Sequence, residues 1–232
     1  MVAGGERTIA VIGGGVSGPA MDRLNGYLLG LTGKERPRIC AIPTATGDAA
    51  ANLVVFYQRY ARCAEATHLE LFSRSVVDIA DLLLAQDIIW VGGGNTANML
   101  AVWRVHGVDE ILREAWQRGI VLAGGSAGGL CWFECGVTDS FGPLAALHDG
   151  LGFLPGSHCP HYDSEIERRP TYERLISDGF PSGYAADDGA VLLFRGTELA
   201  EVVTAREGAY GYRVECAGGR VVETVLPSRL LV

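Results

Sequence analysis

The residue best suited to covalent chemistry is Ser126, which lies in the sequence Gly124-Gly125-Ser126-Ala127-Gly128. This pattern fits G-x-S-x-G, and the apolar segment Ile120–Ala123 before it predicts a strand that runs into the turn. Small neighbours allow a serine to occupy a sharp strand-to-helix turn, where the next N–H faces a developing oxyanion. The alternative is a glycine-rich turn whose serine only caps a helix. The motif and its context favour a nucleophilic serine.

A nucleophilic serine needs a base, and the sequence contains five histidines. Two of them, His158 and His161, fall in the predicted loop GSHCPHYDSE, and loops commonly carry catalytic residues. Residue chemistry does not choose between these two, and a histidine pair also raises the alternative of a metal site. The metal site is disfavoured because no third ligand stands at a recognised spacing. The other three fit a strand, a helix end and a turn, and they are His68, His106 and His148.

The carboxylate that would orient such a base also has several candidates. In a serine triad this group holds the imidazole in the orientation that the reaction requires. Local sequence chemistry does not rank the available aspartates. They are Asp139, Asp163, Asp187 and Asp188.

Two further glycine-rich turns each follow a predicted strand. The first, Gly13–Gly18, has the G-x-G-x-x-G spacing that is typical of dinucleotide-binding turns. The acidic residue that such a site needs after the second strand is missing, since that strand ends in Ile42-Pro43-Thr44. A tight turn is therefore the favoured interpretation. The second, Gly92–Thr96, could offer backbone N–H groups to an oxyanion, or could be a turn in which Asn95 caps a helix.

A series of alternating strands and helices must position these motifs. Apolar strands separated by helices favour a mostly parallel sheet that helices cover on both faces. The predicted strands are Thr8–Ile12, Arg38–Ile42, Thr67–Phe72, Asp87–Val91 and Ile120–Ala123, and the predicted helices are Pro19–Leu31, Asp48–Cys63, a segment from Asn95, Val108–Arg118 and a segment from about Ser164. From about Tyr184, short strands joined by tight turns predict an antiparallel or mixed C-terminal extension. Its strands are Val191–Phe194, Leu199–Thr204, Gly211–Glu215 and Arg220–Val225.

Composition and charge narrow the function classes. A chain of 232 residues that is 48% hydrophobic suits a single α/β domain over residues 1–232. A net charge of −8 without a Lys/Arg cluster gives no electrostatic footprint for nucleic acid. We predict neither a signal peptide nor a transmembrane helix. The six cysteines form no CxxC pair, which favours a cytoplasmic protein with reduced thiols, in which Cys131 and Cys135 are core residues.

Taken together, the motifs resemble a known family. VGGGNT, a pair of helices, a strand ending in GGSAGG, then PHYD and later DDGA are similar to the peptidase E (aspartyl dipeptidase) and cyanophycinase family of serine peptidases. The resemblance runs from about Thr8 to Phe194. It implies a fold like that of class I glutamine amidotransferases, with serine replacing cysteine at the elbow, and chemistry that requires no cofactor and no metal.

The resemblance also implies a role for each matching residue. Ser126 matches the nucleophile of the family, and His161, in a Pro-His-aromatic motif, matches its base. Gly94 and Ala127 match the two backbone donors of the oxyanion hole. Asn95 belongs to the same turn and is a candidate substrate contact.

The acid and the substrate site depart from the family pattern. The family has glutamate before glycine where this chain has Asp188, which is therefore the expected acid, with Asp139 as the alternative. Gly125 stands where peptidase E typically has tryptophan, which predicts a reshaped substrate site. In peptidase E, which this chain resembles, the preference for N-terminal aspartate depends on positive charge in the helix after the histidine. Three arginines lie in that region, and a solvated helix face is the alternative for all of them: Arg168, Arg169 and Arg174.

The sequence thus predicts a serine exopeptidase that hydrolyses short peptides through an acyl-enzyme, with N-terminal aspartate as a candidate preference. A non-catalytic nucleotide- or metabolite-binding module that uses Gly13–Gly18 is the alternative from another class. Cyanophycin hydrolysis is an alternative within the family, and amidotransferase chemistry is disfavoured because the elbow carries serine and no synthetase domain is attached. The expected partner is a short peptide substrate. We expect the protein to bind neither nucleic acid nor a membrane, and a homodimer is a candidate assembly.

Overall fold

The computed structural model describes residues 6–232 as alternating strands and helices. The strands in chain order are β1 (Thr8–Ile12), β2 (Arg38–Ile42), β3 (Glu65–His68), β4 (Ile88–Val91), β5 (Val121–Gly125), β6 (Phe133–Thr138), β7 (Ala145–Leu147), β8 (Leu154–Cys159), β9 (Gly183–Ala186), β10 (Ala190–Arg195), β11 (Glu198–Thr204), β12 (Gly211–Ala217), β13 (Arg220–Val225) and β14 (Ser228–Leu230). The helices are α1 (Pro19–Gly30), α2 (Ala50–Tyr60), α3 (Ile79–Leu84), α4 (Thr96–His106), α5 (Val108–Gln117), α6 (Ala127–Leu130) and α7 (Arg168–Ser177), with a 3₁₀ turn at Thr44–Thr46.

The main sheet has eight strands in the order β14-β11-β10-β1-β5-β4-β2-β3. Five neighbouring strands, from β1 to β3 in this order, are parallel, whereas β10 runs antiparallel to β1. All five residues of β1 are buried, as expected for a central strand that is covered on both faces. The predicted α/β fold class is confirmed.

Helices cover both faces of this sheet. On one face, Leu24 of α1 and Phe56 of α2 pack against Ala10 and Ala41 of the strands. On the other face, α3, α4 and α5 pack against apolar residues of the same strands, among them Ile9 and Ile89. Because consecutive strand residues point to opposite faces, each strand supplies both layers. The carboxyl ends of β1, β4 and β5 then meet at one edge of the sheet.

A second sheet of six strands has the order β13-β12-β9-β8-β6-β7. Phe133 of this sheet packs against Phe194 of β10, so the two sheets share one core. The opposite face packs on α7 through residues such as Tyr172 and Ile176. This arrangement differs from the predicted C-terminal extension. The strands β10 and β11 extend the main sheet, while β12 and β13 complete a second sheet that begins with β6.

Two local predictions are corrected by the structure. The predicted strand Thr67–Phe72 is displaced, because β3 spans Glu65–His68. The prediction that His158 lies in a loop is wrong, since this residue is fully buried within β8. Within residues 6–232, none of the helices has the length and apolar character needed to cross a membrane.

Candidate active site

Three successive carbonyl groups at the end of β1 hold three distant segments together. The carbonyl of Ile12 accepts a hydrogen bond from the N–H of Ser126 at 3.1 Å. The carbonyl of Gly13 accepts from the N–H of His161 at 3.2 Å, and that of Gly14 from the N–H of Gly189 at 3.0 Å. The serine, the histidine and the Asp188-Gly189 turn are thereby fixed around one short stretch of backbone.

Ser126 lies at the turn between β5 and α6. Its backbone has φ of 55°, a value that residues other than glycine rarely adopt, as expected for a nucleophile elbow. Gly124 and Gly128 have to be small here, since a Cβ on either residue would overlap neighbouring backbone. The structure therefore explains the two glycines that stand two residues before and two residues after the serine. Ala127 follows as the first residue of α6.

His161 and Asp188 form a close pair beside this turn. The Nδ1 of His161 lies 2.7 Å from Oδ1 of Asp188, and the two side chains are 20% and 23% exposed. With Nδ1 bonded to the carboxylate, Nε2 is the ring nitrogen left for a proton transfer. Like Ser126, His161 has a positive φ, of 54°. Asp139, the alternative acid, is exposed at the end of β6 and, among the described residues, is not bonded to His161.

Gly14 provides the space that this pair occupies. A Cβ on Gly14 would overlap Oδ1 of Asp188 and would lie 2.6 Å from Nδ1 of His161. Gly14 also forms an isolated parallel bridge with Asp188. The first glycine-rich turn is thus packed tightly against the His–Asp pair.

Asp188 is held from its other side by Asp163 and Arg206. Oδ1 of Asp163 accepts a hydrogen bond from the N–H of Asp188 at 2.9 Å, and Nε of Arg206 donates to the carbonyl of Asp188 at 2.8 Å. Arg206 and Asp163 also form an ion pair with each other. Partial burial raises the pKa of the Asp188 carboxyl, but its hydrogen bond to His161 and the charge of Arg206 outweigh burial, so the net shift is downward. Asp188 is therefore held as a carboxylate.

The other candidate base and acid have structural partners. Nδ1 of His158 lies 3.2 Å from the carbonyl of Tyr184, and burial lowers the pKa of His158 to about 3. Oδ2 of Asp187 accepts hydrogen bonds from the N–H of Tyr210 and the hydroxyl of Tyr212. Both side chains are almost completely buried. The structure therefore pairs Asp188 with His161 and leaves His158 in the core.

Ser126 and His161 line one cavity of about 550 Å³ at the carboxyl edge of the main sheet. Gly93 and Gly94 form part of its wall, and a Cβ on Gly93 would lie 3.1 Å from that of Ser126. Gly94 has φ of 139°, and a side chain there would overlap the carbonyl of Ala45. Within residues 6–232 the hydrogen bonds of His161 do not include Oγ of Ser126. Such contacts are often long without substrate.

The predicted substrate contacts lie elsewhere. Asn95 caps α4, with its Oδ1 accepting from the N–H of Asn98 and its Nδ2 donating to the carbonyl of Ser140. Arg168 is buried and donates to the carbonyl of Val137. These residues are not among those lining the cavity, nor are two further arginines of α7, Arg169 and Arg174.

Arg169 has partners of its own. Its guanidinium lies over the rings of Tyr162 and Tyr212, at 4.6 and 5.0 Å, and pairs with Glu223. The positions of the three arginines give no support to the expectation that α7 presents positive charge to a substrate. Within the described part of the chain, no group of three or more metal-binding side chains is found.

The cavity wall contains a cation that sequence reasoning missed. Arg59, in the last turn of α2, lines the cavity together with Phe56 and Trp90. Nothing in the local sequence distinguishes Arg59 from the exposed Arg62 that follows it. The available signal was the helical spacing that places Arg59 on the same face as Phe56.

Comparison with known proteins now identifies the family. The sequence pattern of Peptidase family S51 matches residues 9–202. The chain belongs to peptidase family S51. A relative from Bacillus subtilis (strain 168), named as the uncharacterized peptidase YgaJ, is 48% identical over 229 residues, which is 97% of this chain and 99% of the relative. The protein is therefore a peptidase, and its resemblance to the peptidase E family is confirmed.

Two solved structures have the same fold. A crystal structure of a peptidase from an acI-B1 actinobacterium superposes with a TM-score of 0.71 at 20% identity, covering 96% of this chain and 95% of the other. A candidate peptidase E protein from Listeria monocytogenes EGD-e superposes with a TM-score of 0.63 at 16% identity, covering 96% of this chain and all of the other, at 100%. At these identities the likeness concerns the fold.

Proposed function

We propose that this S51 peptidase is a serine peptidase in which Ser126, His161 and Asp188 form the catalytic triad. The observation that carries the proposal is the convergence of three segments on the end of β1, where the His161–Asp188 pair and Ser126 border one cavity. Asp163 and Arg206 support the role of Asp188, because both fix its backbone. The charge of Arg206 also lowers the pKa of Asp188 and so favours its ionised form.

The reaction then follows the logic of a serine triad. Nε2 of His161 takes the proton of the Ser126 hydroxyl while Oγ attacks the scissile carbonyl carbon. Asp188 holds the imidazole through Nδ1 and stabilises the imidazolium that forms. His161 returns the proton to the leaving amine, which departs and leaves an ester on Ser126. Water, deprotonated by the same histidine, hydrolyses this acyl-enzyme and regenerates the serine.

The oxyanion of each tetrahedral intermediate would be bound by the N–H groups of Gly94 and Ala127. Gly94 lies in the cavity wall, in a backbone conformation that requires glycine, and Ala127 directly follows the nucleophile. Donors fixed in advance at the position where charge develops supply a large part of the catalysis in such enzymes. The proposed substrates are short peptides, and the whole chain acts as one domain.

Nucleotide binding by the Gly13–Gly18 turn, in contrast, finds no supporting observation. Gly14 in the middle of this turn packs against the His161–Asp188 pair, which gives the glycines a different explanation. The arginines of α7 lie outside the cavity wall, so they do not favour N-terminal aspartate or cyanophycin over other peptides as the substrate.

The test is reaction of the protein with a serine-directed fluorophosphonate, together with hydrolysis of a panel of dipeptides and aminoacyl p-nitroanilides. We expect labelling of Ser126, and a loss of turnover of at least about 10⁴-fold in Ser126→Ala with folding intact. Ser73→Ala, which changes an exposed serine, is the matched control and should keep full activity. Turnover retained in Ser126→Ala would contradict the proposed mechanism.

A further inference from the structure

The cavity beside Ser126 continues between α1 and α2 along one face of the main sheet. Met21 and Leu24 of α1, Ile12 and Trp90 of the sheet, and a continuous face of α2 form its walls. The α2 residues that line it share one helical face, because they recur at intervals of three and four. They are Asn52, Leu53, Val55, Phe56, Arg59 and Tyr60.

The two ends of this α2 face differ in their distance from the nucleophile. Near the start of α2, Nδ2 of Asn52 donates to Oγ1 of Thr46, in the same 3₁₀ turn whose Ala45 carbonyl accepts from the N–H of Asn95 at 2.8 Å. This end is thus tied to the glycine turn beside Ser126. Arg59 lies seven residues further along, which at 1.5 Å per residue is about 10 Å along the helix axis. The backbone of Arg59 is therefore at the end of α2 that is remote from the glycine turn.

The electrostatics of the cavity are one-sided. The described residues that line it include Arg59 but no aspartate, glutamate or lysine. The ion pairs found within residues 6–232 leave Arg59 without an acidic partner. This is unusual in a chain of net charge −8, where acidic side chains outnumber basic ones. A partly buried guanidinium next to apolar walls lacks part of its hydration, which a bound anion would replace.

Gly125 lines the same cavity beside Ser126. A Cβ built on Gly125 would have only ordinary contacts, the nearest being 3.8 Å from Ile12, and Gly125 does not have a positive φ. Neither packing nor backbone conformation requires glycine at this position. Its effect is to leave the space beside Ser126 free for a substrate.

From these observations we propose that Arg59 binds a carboxylate of the peptide substrate, while an apolar side chain of the same substrate lies along Phe56 and Leu24. The carboxylate is either the C-terminus of the peptide or an acidic side chain, since both offer a guanidinium the same two oxygens. This subsite rests on the proposed function, and it gives that function a substrate class: short, partly apolar peptides that carry a negative charge away from the scissile bond.

The kinetic test compares Arg59→Gln with Arg62→Gln. Arg62 is exposed just after the same helix, so its substitution removes the same charge outside the cavity. The substrates are matched pairs in which the charge lies beyond the scissile bond: Ala-Leu-Leu with a free carboxylate or a C-terminal amide, and Ala-Leu-Asp amide with Ala-Leu-Asn amide. For the charged member of one pair, Arg59→Gln should raise KM about 10- to 100-fold with little change in kcat. The pair that responds identifies which carboxylate is bound. Arg59→Lys, which keeps the charge but not the planar fork, should give a smaller rise.

Two kinetic outcomes would overturn the proposal. The first is an equal rise in KM for the charged and the neutral member of both pairs. The second is the same selective rise in Arg62→Gln, which would indicate a general effect of net charge and not a subsite at Arg59.

A binding measurement separates this inference from the proposed function. Calorimetry with Ser126→Ala protein needs no turnover, so it reports on Arg59 whatever the mechanism is. We expect N-acetyl-leucine to bind more tightly than its amide, or the Asp peptide more tightly than the Asn peptide, and the difference to disappear in the Ser126→Ala, Arg59→Gln double variant. Equal affinities for the charged and neutral ligands would refute the subsite even if fluorophosphonate labels Ser126. A clear preference for the charged ligand, without fluorophosphonate labelling of Ser126 in the native protein, would refute the serine mechanism but not the Arg59 subsite.

Discussion

Gly14 is the residue at which the smallest chemical change should have the largest effect on activity. One added methyl group at this position would overlap the Asp188 carboxylate and press on His161. Because Gly14 does not have a positive φ, alanine fits the backbone, and the collision is with the side-chain pair alone. Displacement of a catalytic group by about 1 Å can cost on the order of 100-fold in rate. We expect Gly14→Ala to lower kcat by at least that factor, measured on the best peptide substrate.

The matched control is Gly26→Ala within α1. A Cβ on Gly26 meets nothing within 4 Å, and alanine in a helix interior is more stable than glycine by roughly 0.5–1 kcal/mol. Gly26→Ala should keep full activity and gain a little stability. Unchanged kcat in folded Gly14→Ala would show that the His–Asp pair has more room than the structure indicates.

At the residue scale, part of the candidate site could be predicted from the sequence. Ser126 could be predicted because the elbow imposes a local pattern of small residues on both sides. His161 and Asp188 are separated in sequence, and only the family resemblance chose them over His158 and Asp139. The glycine motif around Gly14 and the helical spacing of Arg59 do not reveal the importance of these residues, because it depends on what packs against them.

At the element scale, β8 is a strand whose polar residues are buried. Ser157 is paired with the hydroxyl of Tyr172 and the carbonyl of Pro181, and His158 with the carbonyl of Tyr184. Since these partners come from other elements, the local sequence resembles a polar loop, which is why His158 is predicted in a loop although it lies in β8. The short strand β7 escaped prediction for a related reason, because its three residues form a strand only by pairing with β6.

The buried His158 predicts a specific dependence of stability on pH. Burial lowers the pKa of His158 from 6.5 to about 3, so the unfolded chain binds a proton at this residue over that range and the folded chain does not. The free energy of unfolding should therefore fall as the pH decreases from about 6.5 towards 3, by on the order of a few kcal/mol from this residue. Urea unfolding at pH 7 and at pH 5 measures the effect.

His158→Phe is the comparison variant, because it replaces the imidazole that stacks on Phe133 with another planar ring. Its free energy of unfolding should change less between pH 7 and pH 5 than that of the native protein. An equal change in both proteins would mean that other groups, and not His158, cause the loss of stability in acid.

At the scale of the whole molecule, the proposed active site lies where two sheets meet. Ser126 follows a strand of the main sheet, whereas His161 follows β8 and Asp188 follows β9 of the second sheet. The sheets share a core in which Phe133 packs against Phe194. A common core favours cooperative unfolding of both sheets as one domain.

Cooperative unfolding can be measured through the site itself. With increasing urea, the fraction of protein labelled at Ser126 by fluorophosphonate should decrease in the same transition as the far-UV circular dichroism. Loss of labelling at clearly lower urea, before the secondary structure changes, would indicate that the second sheet separates first and that the chain does not behave as one domain.

The positive φ angles of Ser126 and His161 have an evolutionary consequence. A left-handed backbone costs residues other than glycine roughly 1–2 kcal/mol, so glycine at either position would relieve the protein of a conformational burden. Selection for thermal stability alone would thus not retain the two side chains that are proposed to carry out hydrolysis. Under selection for stability alone, we expect a protein to replace these residues and to become more stable but inactive. Retention of Ser126 and His161 in related chains would therefore indicate selection for catalytic activity.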